Sequence, residues 1–483
     1  MLFNSMTFLV FLPIVFIIHW ILPNKYRWLV LLFASYYFYM SWNPELVFLI
    51  LTTTLVSYSS TLLIAKLEDK RKKKLFMILG VGVSLGILFF FKYFNFLSLS
   101  VTNLLKTFSL PFNEITLKLI LPIGISFYTF QTLSYVLDVY YNRIEPEKHF
   151  GYYALYVSFF PQLVAGPIER SQNLLPQIKK DRFFSYETAT YGLKLMAWGF
   201  FKKIVIADTM AKYVNLVYDN VDRYTGASLL IATIFFAFQI YCDFSGYSDI
   251  AIGTANLFGI NLMTNFKSPY FSSSVKEFWN RWHISLSTWF RDYVYIPLGG
   301  NRVSKIRNKF NIMVTFLLSG LWHGASWHFV IWGGVNGIFN TIDTIKKPMK
   351  REQNKKIITF VKITFIFSLT CFTWVLFRAN SIIDAIYIYK NCFLGIQNIF
   401  QYIIAGFQAI NISKRILFSI VLSILILITF DLLNLKKDII RELNNLAIFF
   451  RWSIYIALIS YIIFSIILNQ SSNVQNEFIY FQF

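Results

Sequence analysis

Runs of about twenty apolar residues recur along the whole sequence, and they restrict its fold more than any other feature. A helix that rises 1.5 Å per residue needs about twenty residues to cross a hydrocarbon core about 30 Å thick. Hydrophobic residues make up 56% of the 483 positions and aromatic residues 19%, and the alternating pattern of membrane strands is absent. The sequence therefore predicts an all-α, polytopic integral membrane protein.

Thirteen segments are candidate spans, and because several are short or polar we expect about ten to thirteen crossings. They are residues 2–22, 28–42, 46–65, 75–94, 118–140, 152–164, 189–206, 228–242, 310–322, 327–342, 358–377, 416–433 and 449–468. No solenoid-type repeat or disordered linker divides them, so we predict one membrane domain over residues 1–483.

Positive charge is concentrated in the short loops between these segments. A net charge of +21 could indicate a nucleic-acid partner, but this placement follows the positive-inside rule and argues against one. The most basic loops, residues 66–74, 302–309, 346–356 and 436–441, are predicted to be cytoplasmic, which places both chain ends outside. The first apolar segment has no basic leader or cleavage site, so we expect it to remain as a span.

Two polar stretches interrupt the apolar pattern. Residues 159–180 contain three prolines and a charged cluster, and because proline breaks helices we expect a re-entrant or surface segment. Residues 239–253 carry Asp243 and Asp249 at membrane depth. A charge there costs about 2.5–3.5 kcal/mol, so both carboxylates should line a cavity or pair with arginine. For Asp249, a loop at the membrane interface is an equal alternative.

A third polar stretch, residues 319–328 (SGLWHGASWH), lies deep in apolar sequence. Lipid offers its imidazoles, indoles and hydroxyls no hydrogen-bond partners, so they must face protein or a water-filled cavity. A helix over residues 310–322 would rise only about 20 Å, which places His323 inside the membrane. Histidine suits proton transfer because its unperturbed pKa lies near 6.5. The alternative is a core histidine that bonds to a neighbouring carbonyl.

A second histidine site lies in residues 277–300 (EFWNRWHISLSTWFRDYVYIPLGG). As one helix, this segment places Trp279, His283, Leu286 and Phe290 on a single stripe. The segment is too charged to span lipid, so we predict an amphipathic or re-entrant helix with His283 facing the bundle. An aromatic belt at the membrane interface with an incidental histidine is the alternative.

The sequence gives less support to metal, redox or nucleophilic-serine chemistry. The three cysteines, Cys242, Cys371 and Cys392, lie in or near apolar segments without metal or redox spacing, so we expect them to be small buried hydrophobes. His323 and His328 do not share a helix face, and no Cys/Glu cluster supplies further ligands, so we predict no metal site. No nucleophile elbow or phosphate-binding glycine loop occurs. Acid–base work on a hydroxyl inside a membrane cavity is what remains.

Several long strings carry a specific resemblance. They are residues 121–139 (LPIGISFYTFQTLSYVLDV), 160–170 (FPQLVAGPIER), 238–253 (FQIYCDFSGYSDIAIG), 277–302 (EFWNRWHISLSTWFRDYVYIPLGGNR), 318–336 and 478–483 (FIYFQF). In these strings the chain resembles the membrane-bound O-acyltransferases, and specifically their bacterial alginate O-acetyltransferase type. Most of the matching strings lie within about residues 118–340. The resemblance implies a helix bundle with re-entrant and amphipathic helices around a funnel that crosses the membrane.

The resemblance also implies a donor, a partner and a location. In this family acetyl-CoA is used on the cytoplasmic side as a substrate, not as a tightly bound cofactor, and the acyl group passes through the funnel. In the polysaccharide branch an extracytoplasmic SGNH-hydrolase-like partner, together with polysaccharide secretion machinery, completes the transfer to sugar hydroxyls. The location implied is the bacterial cytoplasmic membrane. His323 corresponds to the near-invariant family histidine and His283 to its second position.

Thioester acyl transfer needs a base for the attacking hydroxyl and donors for the developing oxyanion. We expect His323 to be this base or to orient the thioester and acceptor, with His283 beside it; a covalent acyl-histidine is left open. The expected substrate-positioning residues are Trp279, Trp282, Ser319, Trp322 and Asp243. Arg302, Lys305 and Arg307 are the candidates for binding the CoA phosphates. The alternative is that these basic residues only set the orientation of the chain in the membrane.

Three other functions stay open at this point. The same chemistry could acetylate peptidoglycan, or it could transfer D-alanine from a carrier protein to teichoic acid. A transporter or channel could instead use the histidines as a proton relay, and it would then work without acetyl-CoA.

Overall fold

Helices form all of the regular structure in the residues that the computed structural model describes, which are 1–110, 113–164, 166–343, 355–470 and 478–479. The predicted all-α fold is thereby confirmed. Helices α1 to α11 are Met6–Ile21, Asn24–Met40, Val47–Lys66, Lys70–Leu88, Phe94–Thr107, Ile125–Tyr140, Phe150–Ser158, Phe160–Leu163, Ser171–Lys179, Tyr186–Phe200 and Asp208–Tyr218. Helices α12 to α22 are Ala227–Leu257, Val275–Arg281, Ile284–Phe290, Lys305–His323, Trp327–Asp343, Lys355–Arg378, Ile382–Asn391, Ile399–Ala409, Lys414–Asn434, Ile439–Glu442 and Ile448–Gln470.

Short segments with other helical geometry join these elements. The π-helical segments are Phe89–Tyr93, Phe201–Ala207 and Arg291–Tyr295. The 3₁₀ turns are Pro44–Leu46, Val221–Arg223, Pro269–Phe271 and Leu443–Asn445. Single π turns often occur at functional sites, and Phe201–Ala207 contains Lys202 and Lys203, whose contacts are described below.

Six described helical stretches are long and apolar enough to cross a membrane. They are Pro44–Lys66, Lys70–Thr107, Ala227–Leu257, Lys356–Arg378, Lys414–Asn434 and Ile448–Leu468. The multi-pass membrane architecture is thereby confirmed, and a described helix overlaps each of the thirteen predicted segments. Which of the shorter helices cross the bilayer, and in which direction, stays a prediction; most of the predicted loop 346–356 lies outside the described residues.

The chain divides into two compact units. The first unit contains Met1–Leu193 and Ile250–Met263, and the second contains Lys194–Asp249 and Thr264–Phe483. The proline-rich segment belongs to the first unit, where α7 ends at Ser158 and two short helices follow, so the predicted helix break is confirmed. The single domain over residues 1–483 stays a prediction.

The helices of the second unit differ in how much of their apolar surface is buried. About 78% of the apolar window of α12 is buried, against 6% for α22, so α12 lies in the interior and α22 exposes most of its apolar surface, as a lipid-facing helix does. Cys242, Cys371 and Cys392 are at most 8% exposed and unbridged, which confirms their interpretation as buried hydrophobes. Every candidate site residue named above lies in this unit.

Candidate active site

Helix α15 carries His323 to the interior of the second unit. The helix begins after Ser304, whose hydroxyl accepts the backbone N–H of Arg307, and serine is a favourable N-cap. It ends at His323, which is only 3% exposed. Gly324 then leaves the helix, and a Cβ there would lie 2.1 Å from the ring of Phe329. The predicted buried histidine near the helix end is confirmed in position, although the helix begins five residues before the predicted Phe310.

Glycines bring α15 and α16 close together beside this histidine. A Cβ on Gly320 would lie 2.3 Å from the backbone oxygen of Phe329, and Gly333 on α16 makes an equally close contact with α15. Small residues allow this approach of helix backbones in membrane proteins. As a result, Trp332 of α16 meets His323 edge to face, with ring centroids 5.0 Å apart.

The second histidine lies in a break between two helices, so the prediction of one continuous helix through His283 is wrong. Between Arg281 and Ile284, His283 adopts φ 43° and ψ 55°. An earlier segment of the chain causes the break, because the N–H of Ile284 donates to the backbone oxygen of Asn265 at 2.9 Å and that of Ser285 donates to its Oδ1 at 3.2 Å. Left-handed backbone at a residue other than glycine is uncommon and collects at functional sites.

The two imidazoles nevertheless lie side by side. Their ring centroids are 6.5 Å apart with planes at 56°, and Trp322 lies 5.9 Å from His283 and 5.0 Å from His323. Both histidines are buried, and burial lowers the pKa of His283, which lies outside the candidate spans, to about 3. The His283 ring is therefore neutral near pH 7 and keeps one nitrogen lone pair. Such a ring can donate one hydrogen bond and accept another, so it can orient a hydroxyl.

Aromatic rings pack around the pair. Phe244 of α12 lies edge-on to His283 at 4.5 Å, and Phe377 of α17 lies 5.4 Å from His323. Trp332 was not singled out from the sequence, although an indole within an apolar helix was a signal. Its buried Nε1–H has no hydrogen-bond partner among the described residues. Because an unpaired buried donor is costly, Trp332 is a candidate donor to a substrate oxygen.

The predicted tryptophans join the same aromatic cluster. Trp282 is 1% exposed and lies 5.0 Å from Trp374. Trp279 is half-buried and lies 5.7 Å from Trp332. Ser319 is half-buried on α15, one turn before His323. The structure thus brings these residues to the histidines or to the rings beside them, and their substrate-positioning roles stay predictions.

Asp243 belongs to a separate buried network, here called the lysine–carboxylate cluster and made up of Lys202, Lys203, Asp208, Asp243 and Asp249. The Nζ of Lys203 lies 2.6 Å from Asp243 and 2.8 Å from Asp208, and the Nζ of Lys202 lies 2.7 Å from Asp249. The predicted pairing with arginine is wrong, because both cations are lysines. The interfacial-loop alternative for Asp249 is also wrong, since this residue lies inside α12.

The lysine–carboxylate cluster also binds a segment near the end of the sequence. The second oxygen of Asp243 accepts the N–H of Ile479 at 2.8 Å. The neighbouring Phe478 is fully buried, and its ring centroid lies 5.8 Å from that of Phe244. Since Phe244 itself contacts His283, the rings of Phe478 and Phe244 connect the cluster to the histidine pair.

The predicted phosphate-binding residues lie far from the histidines. Arg302, Lys305 and Arg307 are exposed around the first turn of α15. Eighteen residues separate Lys305 from His323 on this helix, a rise of about 27 Å. The structure does not bring this basic group to the imidazoles, and its predicted role at a cytoplasmic entrance stays a prediction.

The fold and site define a multi-pass membrane protein with a buried pair of imidazoles suited to acid–base chemistry on a hydroxyl. The sequence profile described as "MBOAT, membrane-bound O-acyltransferase family" matches residues 147–383, which include both histidines. The chain belongs to the membrane-bound O-acyltransferase family. The predicted family is confirmed, and with it the general activity of an O-acyltransferase.

Three relatives illustrate the range within this family. The chain is 40% identical over 385 residues to the probable alginate O-acetylase AlgI of Pseudomonas putida, covering 79% of this chain and 78% of the relative. It is 38% identical over 396 residues to the protein of the same name in Pseudomonas aeruginosa, covering 81% and 75%. It is also 35% identical over 424 residues to a peptidoglycan O-acetyltransferase of Helicobacter pylori, covering 81% and 79%.

Proposed function

We propose that this protein takes an acetyl group from cytoplasmic acetyl-CoA and passes it through the membrane for the O-acetylation of an alginate-like extracytoplasmic polysaccharide. The observation that carries the proposal is the pair of buried imidazoles, His283 and His323, 6.5 Å apart within an aromatic cluster. Two relatives of similar sequence are named as probable alginate O-acetylases, which supports a polysaccharide acceptor.

His323 accepts the proton of the attacking hydroxyl in this proposal. The hydroxyl oxygen forms a bond to the thioester carbonyl carbon, the carbon–sulfur bond breaks, and the thiolate of CoA leaves and takes up the proton. His283, Trp322 and Trp332 lie where they can donate to the oxyanion or orient the acceptor. The aromatic rings around the pair exclude water and so limit hydrolysis of the thioester. In the alternative route, a histidine nitrogen first takes the acetyl group from CoA and then passes it to the hydroxyl.

The proposal includes a location and partners. The protein resides in the bacterial cytoplasmic membrane with both chain ends outside. An extracytoplasmic SGNH-hydrolase-like protein, together with the polysaccharide secretion machinery, completes the transfer to the sugar hydroxyls. The exposed basic residues Arg302, Lys305 and Arg307 bind the phosphates of acetyl-CoA at the cytoplasmic face.

The proposal is tested with acetyl-CoA labelled in its acetyl group. Membrane vesicles that contain the protein and its cell-surface polymer should release CoA thiol and acquire labelled acetyl ester on the polymer, detected by mass spectrometry of the released sugars. Vesicles from cells without the gene provide the background. Ester formation that persists without the gene, or label that never leaves acetyl-CoA, would contradict the proposal.

Peptidoglycan is a second candidate acceptor, because the Helicobacter pylori relative named for that activity covers as much of the chain as the alginate-type relatives. The same labelled vesicles distinguish the two acceptors. Label recovered on muramic acid after digestion of the cell wall would favour peptidoglycan, whereas label on soluble exopolysaccharide would favour the first proposal.

A further inference from the structure

A cavity of about 680 Å³ lies in the second unit, between α12, α17, α20 and the turn Pro269–Phe271. Its described lining does not include either histidine, so it is a separate space from the imidazole pair. Aromatic and aliphatic side chains provide most of the walls, among them Phe238, Ile363, Phe367 and Leu427. Cavities of this size that are mainly apolar commonly bind small organic ligands.

The helices that form the walls of the cavity face the lipid bilayer, so its ligand is expected to come from there. Both α17 and α20 are among the helices long and apolar enough to cross a membrane. Only 22% of the apolar window of α20 is buried, and Phe360, which lines the cavity from α17, is 70% exposed. A cavity between such helices opens toward the hydrocarbon of the bilayer, where acyl chains are the abundant apolar groups.

The length and charge of the cavity specify the ligand further. Lining residues on α17 run from Lys356 to Phe367, and these eleven residues of helix rise about 17 Å. One leaflet of a hydrocarbon core about 30 Å thick measures about 15 Å. Lys356 is exposed at the first turn of α17 and is the last residue of a basic run in the sequence, KKPMKREQNKK. The cavity therefore offers one leaflet depth of apolar wall with a cation at one end.

The described lining also contains one carboxylate, Asp431, which already accepts a hydrogen bond from the protein. Tyr241 donates its hydroxyl proton to Asp431 at 2.8 Å, and the ring of Tyr241 lies 6.0 Å from the Nζ of Lys202. The ring of Tyr241 also lies 6.2 Å from that of Trp282, the residue before His283. The inner wall of the cavity is thus a polar and aromatic layer that separates an apolar chain from the histidines.

We propose that this cavity binds one acyl chain of an anionic phospholipid, with the lipid phosphate at Lys356. The ligand is a resident lipid, not the acyl donor or acceptor, and the proposal does not depend on the acyl-transfer reaction. Bound in this way, the lipid fills the space between α17 and α20 and supports the layer of Tyr241 and Trp282 behind His283.

Native mass spectrometry of the full-length protein tests this site. The detergent-purified protein is titrated with phosphatidylglycerol and with phosphatidylcholine that carry the same acyl chains. We expect one phosphatidylglycerol to bind more tightly than phosphatidylcholine. Lys356→Ala should weaken phosphatidylglycerol binding about fivefold, the contribution of one lysine near an anionic lipid surface. It should weaken phosphatidylcholine binding less, because the choline group offsets the charge of the phosphate.

Ile428→Trp tests the acyl-chain part of the site, because an indole occupies space in the cavity wall; it should weaken binding of both lipids at least about tenfold. Two matched controls should bind lipid as the wild type does. Lys414→Ala removes an exposed lysine at the start of α20, and Leu425→Trp adds an indole on the same helix at an exposed position outside the lining.

Three results would overturn the proposal: no retained lipid, equal affinity for the two head groups, or an equal loss in the control variants. Normal elution of each variant on size-exclusion chromatography shows that a loss of lipid does not come from unfolding. Since none of these measurements requires acetyl-CoA, the lipid site and the acyl-transfer proposal can fail independently.

Discussion

The histidine pair and the lysine–carboxylate cluster are two buried polar regions of the same unit, and they are built in opposite ways. The Nζ of Lys203 lies within 2.8 Å of two carboxylates, so its positive charge is neutralised by direct ion pairs. His283 and His323 instead pack among aromatic rings, and burial keeps at least the His283 ring neutral. The two histidines, both lysines and Asp243 are at most 4% exposed, whereas Asp208 and Asp249 are partly exposed.

This difference separates a structural role from a chemical one. A buried ion pair repays its desolvation only while both partners are present, so its residues are held in fixed positions. A neutral imidazole among apolar side chains has no charge that needs a partner, and its unprotonated nitrogen can accept a hydrogen bond from a hydroxyl. We therefore expect substitutions at the histidines to change activity at normal protein levels, and substitutions in the lysine–carboxylate cluster to change the amount of folded protein.

His323→Ala should have the largest effect on activity. Loss of a general base costs about 10²- to 10⁴-fold in rate, so polymer acetylation should fall by that factor while the protein remains in the membrane at wild-type abundance. His328→Ala is the matched control, because His328 lies five residues further on, is half-buried and bonds to Ser326. The control should keep activity within about twofold, and a fully active His323→Ala variant would remove the catalytic role.

Lys203→Ala should have the largest effect on stability. It leaves the buried Asp243 and the partly exposed Asp208 without their shared cation, and breaking a buried pair costs about 3–5 kcal/mol. We expect little folded protein in membranes and a clearly lower melting temperature in detergent. Lys414→Ala, at an exposed lysine, should leave both unchanged. Wild-type abundance of Lys203→Ala would show that the lysine–carboxylate cluster is not structural and would break the comparison.

Gly320→Ala tests how precisely the helix contact positions His323. Its Cβ would lie 2.3 Å from the backbone of α16, and overpacking of this kind costs about 1–3 kcal/mol. Because a shift of about 1 Å can cost about 10²-fold in rate, activity should fall more than abundance. Gly334→Ala on α16 meets only a side-chain atom of Leu317 at 3.5 Å and should be tolerated. Equal effects in the two variants would contradict the positioning role.

The basic residues at the start of α15 should give the smallest effects. Arg307→Ala should raise the KM for acetyl-CoA about twofold to fivefold, the range for one exposed charge pair, without changing kcat. Lys309→Ala, one half-turn further and also exposed, is the charge-matched control. Equal KM changes in both variants would indicate general attraction of an anion, whereas no change in either would leave these residues with a topological role only.

The positions of the helices could be predicted because bilayer thickness fixes the length of an apolar span. Helices α18 and α19 were missed, since with 10 and 11 residues they are too short to be recognised in that way. The burial of His323 could also be predicted, because polar groups inside apolar sequence must face protein.

The local geometry of the site could not be predicted from periodicity. The break at His283 depends on hydrogen bonds from Asn265, and helical periodicity contains no information about that segment. The adjacent lysines Lys202 and Lys203, inside the apolar run 189–206, were a visible signal that the buried aspartates had lysine partners. Matching each lysine to its carboxylate required the fold, and so did the contact of Asp243 with Ile479.

A double-mutant cycle on the two histidines tests the central claim most directly. The rate of acetyl transfer from labelled acetyl-CoA to polymer is compared for the wild type, His283→Ala, His323→Ala and the double variant, at equal protein in vesicles. If the two imidazoles serve one transition state, their effects are strongly non-additive and the double variant is little slower than the slower single variant. Losses that simply multiply, or single variants as fast as the wild type, would contradict a shared acyl-transfer site.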